Sequence, residues 1–144
     1  MTHEDKGKYF KKHPEGTRID DELKDEIISQ VKNNNITCKK AEEIASALGC
    51  SLAETGRAID ILNINITKCQ LGLFGYGETK KIVQPVKEVA PELKESIMSA
   101  LENERLSCAA AWGIAKKFNM PRMKVCAACE ALDIKVKPCQ LGAF

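Results

Sequence analysis

The chain has 144 residues, 44% hydrophobic, 29% charged and only 5% aromatic, enough for one ordinary core or two small ones and too little for most multi-domain enzymes. Its 22 basic residues stand against 20 acidic ones, a net charge of +2 with His neutral, which excludes a whole-molecule polycation and makes any anion-binding face local. No apolar run approaches the roughly 20 residues of a membrane-spanning helix, the start lacks a basic stub followed by an apolar stretch, and the seven Cys then read as thiols of a soluble protein in the reducing cytoplasm.

Residues 1–20 read as a basic arm, with Lys6, Lys8, Lys11, Lys12 and Arg18 set around Tyr9, Phe10 and His13 and showing neither helical nor strand period. After it the chain repeats itself. Residues 21–74 align without a gap on residues 91–144, and roughly a third of the paired positions are identical. The shared string Cys69-Gln70-Leu71-Gly72 returns as Cys139-Gln140-Leu141-Gly142, and Phe74 as Phe144. The repeats are therefore expected at 21–77 and 91–144, joined at 78–90 by a linker that only Ile82 and Val83 can anchor.

Within each repeat the apolar spacing predicts three helices. Leu23, Ile27, Ile28 and Val31, matched by Leu93, Ile97, Met98 and Leu101, mark a first helix over 21–32. Thr37 and Ser107 are N-caps for a second, over 38–48, whose inner face is Ala41, Ile44 and Ala45. Gly49 and Asn119 can take positive φ and end that helix in a tight turn. Ser51 and Pro121 then open a third, over 52–63 and its partner. The alternation in Ile64-Asn65-Ile66-Thr67 and Ile134-Lys135-Val136-Lys137 predicts a β-rich tail that turns as a hairpin.

This order resembles the winged-helix branch of the helix-turn-helix proteins. The segment Ser107-Cys108-Ala109-Ala110-Ala111, with Ile114-Ala115, Val125, Ala128 and Leu132, is similar to the helix-turn-helix of LysR-type and molybdate-responsive bacterial regulators. The resemblance covers about half of each repeat. It implies a mainly α fold of two tandem winged-helix units and a non-catalytic DNA-binding protein acting in transcription. The Cys-Gln-Leu-Gly-x-Phe ending lies outside that pattern.

Enzyme chemistry has little to stand on. Both His, His3 and His13, fall in the arm, and neighbouring carboxylates such as Glu42 and Glu43 diverge by about 100° on a helix. Cys108, Cys126, Cys129 and Cys139 allow a four-thiolate metal or redox site to be drawn. The repeat sets Gly56 and Ile59 opposite Cys126 and Cys129, which favours packing, so no metal and no cofactor are expected and Cys38, Cys69, Cys108 and Cys139 should be buried.

Charge separates the repeats. Residues 21–77 carry 6 basic and 8 acidic side chains, residues 91–144 carry 8 and 6. The first offers Arg57 between Glu54 and Asp60; the second offers Lys116 and Lys117 before the turn, Arg122 and Lys124 after it, and Lys135 and Lys137 on one side of the strand. In a winged helix these places converge on DNA, with the third helix in the major groove and the wing on the backbone. The rival expectation is a protein-interaction module or small subunit of a larger complex. It would use Leu73, Phe74 and Tyr76 as an exposed patch, with Trp112 facing the other repeat or a second chain.

Overall fold

The computed structural model describes residues 20–77 and 81–143, and the arm up to residue 19, both His and Phe144 lie outside them. The fold is mainly α. In chain order it runs α1 (Asp21–Gln30), β1 (Asn35–Thr37), α2 (Cys38–Leu48), α3 (Leu52–Ile61), β2 (Asn65–Thr67), α4 (Pro91–Ser99), β3 (Arg105–Leu106), α5 (Cys108–Lys117), α6 (Arg122–Ala131) and β4 (Lys135–Val136). Among the described residues no helix is long and apolar enough to cross a membrane.

Two units result, and their borders differ from those of the repeats. The first holds α1 to β2 through Cys69 and also takes Leu141–Ala143; the second runs from Gln70 to Gln140. Residues 81–86 are accordingly not a free linker. Val83 is 3% exposed, the Val86 amide donates to the Ala127 carbonyl, and Lys81 pairs with Glu130 at 2.6 Å, all within the second unit.

In the first unit, the Asp20 carboxylate caps α1 through the Glu22 amide, Thr37 caps α2 through Lys40, and Ser51 caps α3 through Glu54. Each side chain satisfies a helix-end donor and fixes where the helix starts. Gly49 ends α2 at φ 67°. The helices bury Leu23, Ile27, Ala41, Ile44 and Ile59 against one another, and the alanines let α2 approach closely.

The expected hairpin is not what the tail forms. β2 pairs in parallel with β1, Ile36 opposite Ile66, and β4 pairs in parallel with β3, Leu106 opposite Val136. The reason lies between the first and second helices. Asn33 and Asn34 both take positive φ, 52° and 62°, in a two-residue turn closed by Lys32 and Asn35, a geometry Asn tolerates well. That turn ends α1 two residues early and lays β1 beside the returning chain, so the tail finds its partner upstream. Asn63 at φ 57° likewise stops α3 before its expected end.

The second unit repeats this plan. Asn103 and Glu104 form the equivalent turn. Ser107 caps α5 through Ala110, and Asn119, at φ 52°, ends it as Gly49 ends α2. Leu93, Ile97, Leu106, Ile114, Val125 and Val136 form its core.

Candidate nucleic-acid interface

Four of the six expected DNA-contacting cations, Lys116, Lys124, Lys135 and Lys137, are exposed and have no acidic partner among the described residues. Lys117 is exposed too, with its ammonium 3.4 Å from the Ser96 hydroxyl and 5.6 Å from the Phe118 ring centre. Lys116 and Lys117 occupy the last turn of α5, where the helix dipole favours positive charge. Lys135 and Lys137 flank buried Val136 on the edge of β4.

Arg122 differs from the lysines. Its guanidinium lies 3.6 Å from the ring centre of Trp112 and donates to the Gln70 Oε1 at 2.8 Å. It is a fixed planar group at the first residue of α6, not a mobile phosphate contact. Trp112 is thereby placed as well: half-buried on α5, its ring is covered by Arg122 of the same unit, and its indole N–H is buried with no hydrogen-bond partner among the described residues.

α6 cannot serve as a helix laid along the major groove. Val125 to Cys129 are five consecutive buried residues, more than one full turn of 3.6 residues, so every side of the helix is enclosed there. Gly72 packs on Met123 and Val83, 3.1 Å from where a Cβ would stand, and the Val86 amide reaches the Ala127 carbonyl. Access is left only at the two ends, Pro121 to Lys124 and Glu130 to Ala131. Pro121 supplies no side-chain cap there.

The interaction-patch residues are less open than expected. Leu73, Phe74 and Tyr76 are half-buried, while the exposed large apolar side chains are Ile28, Ile82 and Met98. Of the recurring thiols Cys38, Cys69 and Cys108 are buried and Cys139 only partly so. None of the seven Cys is in a disulfide, and among the described residues no three His, Cys, Asp or Glu gather as metal ligands.

A groove lies at the turn between α5 and α6, about 580 Å³ in volume, with Trp112, Gly113, Lys116, Met120, Pro121 and Arg122 among its walls. Sequence reasoning singled out three of these six but not the groove. Its available signal was the replacement of Glu42-Glu43 by Trp112-Gly113. Comparison of the chain with protein families, with characterised proteins and with solved structures finds no match.

Proposed function

We propose that the chain is a non-catalytic DNA-binding protein of the transcription-control kind, built of two helix-turn-helix units related to the winged helix, and that its second unit holds the phosphate backbone. A parallel strand pair stands in each unit where a winged helix has its wing.

One observation carries this reading. Lys116, Lys117, Arg122, Lys124, Lys135 and Lys137 occupy scaffold positions that in the first repeat hold Ser46, Ala47, Leu52, Glu54, Asn65 and Thr67. The same fold forms without a cation at any of the six, so the charge is not needed for folding, and the five lysines carry it on exposed side chains within reach of a polyanion. α6 is 10 residues long, about 15 Å, so the helix-end and strand lysines span several phosphates of a duplex. Contacts of this kind position a protein on nucleic acid without reading sequence. Seven Cys without a disulfide suit the reducing cytoplasm, where such a ligand is met.

The test replaces Lys116, Lys135 and Lys137 by the Ser, Asn and Thr of the first repeat, and Lys124 by Ala. Fluorescence anisotropy with a labelled duplex, repeated across salt concentrations, should show wild-type affinity falling steeply with salt. The slope should flatten by about 0.9 for each phosphate that the variant no longer neutralises. Wild-type binding no tighter than roughly 10⁻⁴ M at low salt would exclude the proposal. A second reading, docking to a protein partner, is favoured by Ile28 and Met98. They stand at equivalent positions of α1 and α4 and are 51% and 50% exposed, and their joint replacement by Ser should then abolish capture of the partner without changing DNA binding.

A further inference from the structure

The groove at the α5–α6 turn belongs to the second repeat alone. At the positions of Trp112, Gly113, Lys116 and Arg122 the first repeat has Glu42, Glu43, Ser46 and Leu52. Two acids, a hydroxyl and an aliphatic residue have thus been exchanged for an aromatic ring, a bare helix turn and two cations. Nothing in the scaffold requires the exchange, since the first unit forms the same turn without it.

Two features of the groove cost stability. Gly113 lies inside α5, where Gly is a much poorer helix former than Ala, and a Cβ there would meet nothing within 4 Å, so no close packing explains it. The Trp112 N–H is buried without a hydrogen-bond partner among the described residues, which disfavours the fold because a desolvated donor has given up its water. What remains on offer at the groove is the Trp112–Arg122 stack itself, with Gln70 holding the guanidinium plane. Open space beside Gly113 adjoins it, and Lys116 lies on the wall.

A fixed π-cation stack beside an open slot, with a cation at hand, is the arrangement that takes a planar, phosphate-bearing ring. Single-stranded nucleic acid is held by such means: bases stack on aromatic and guanidinium faces while lysines follow the backbone. A duplex cannot use the slot, because its bases are already stacked on one another. α6, enclosed on all sides from Val125 to Cys129, offers no helix for reading a duplex in the major groove. The geometry points to the groove of Trp112, Gly113, Lys116 and Arg122 as a site for one unpaired base of a single strand. This rests on the nucleic-acid reading above and adds to it the form of nucleic acid that is preferred. A volume of about 580 Å³ falls in the range of small-molecule sites, roughly 300–1,000 Å³.

Trp112 is the only Trp in the chain, so its fluorescence reports on this groove and nowhere else. The full chain is titrated with a 12-nucleotide oligothymidylate and separately with a duplex of equal length, following Trp emission and the anisotropy of an end label together. The single strand should quench Trp112 and bind at least about fivefold more tightly than the duplex, as stacking of one base is worth about 1–3 kcal/mol. The duplex should bind through the lysines without quenching.

Arg122→Lys keeps the charge and removes the plane. It should abolish the quench and the single-strand preference while leaving the salt slope in place. Gly113→Gln puts an uncharged isostere of Glu43 into the slot, a size the first repeat accommodates, and should do the same with helix content intact. Single-strand binding by anisotropy with no Trp112 quench overturns the groove site and leaves the backbone proposal standing. No binding of either oligonucleotide overturns both. Saturable quenching by polyglutamate, with none by oligothymidylate, would assign the groove to an acidic peptide instead and equally overturn the inference.

Discussion

Cys129 is fully buried on α6, and that burial, with Glu130 beside it, pushes its thiol up to about 11. An unfolded Cys titrates near 8.5, so the folded protein holds this proton more tightly than the unfolded one. The contribution to stability is therefore complete below pH ~8.5 and is lost as pH rises towards 11. Melting temperature should fall across that window, and Cys129→Val, which has no proton to lose, should fall less over the same range. Equal slopes for both proteins would remove the thiol from the account. Cys126 and Cys129 are both fully buried, as the packing reading expects. Residue-level reasoning reached that point because the repeat set Gly56 and Ile59 opposite them. It missed the partial exposure of Cys139, whose surroundings depend on where the following tail belongs.

Helix positions were legible wherever a cap and an apolar period coincided. α2 was expected over the span it occupies because Thr37 and Gly49 mark both ends with side-chain and backbone chemistry that acts locally. The strands were not legible in the same way. β1 and β3 are 3 and 2 residues long, too short for alternation to show, and their one signal is the Asn33-Asn34 pair. The enclosure of α6 was also hidden, since Gly72, Lys81 and Val86, which pack or pair against it, lie far from it in sequence. Two glycines test what the helices carry. In α3 a Cβ on Gly56 would stand 1.9 Å from the Leu141 carbonyl oxygen, a backbone atom that cannot turn aside. Gly56→Ala should destabilise the first unit by about 1–3 kcal/mol or more. Gly113→Ala meets open space and should stabilise the second by about 1 kcal/mol. Urea titrations read by circular dichroism would check both; the same sign for the two substitutions would contradict this packing.

At the scale of the whole chain, duplication supplies two copies of one plan, yet the units are not the repeats. Leu141 is 3% exposed within the first unit and Leu71 is fully buried within the second, so each unit is completed by the tail whose sequence belongs to the other repeat. No local pattern in Cys-Gln-Leu-Gly could announce this, because the two strings are identical and differ only in where they go. Truncating a buried Leu to Ala costs about 2–5 kcal/mol, and the exchange of tails decides where that cost falls. Leu141→Ala should raise amide hydrogen exchange in α1, α2 and α3 by about tenfold for every 1.4 kcal/mol of stability removed, with α5 and α6 unchanged. Leu71→Ala should do the reverse. Exchange measured peptide by peptide in both variants separates the possibilities. Loosening of α6 by Leu141→Ala, or of α3 by Leu71→Ala, would return each tail to its own repeat and remove the physical basis for the cover over α6. It would also reopen that helix as a surface for duplex DNA.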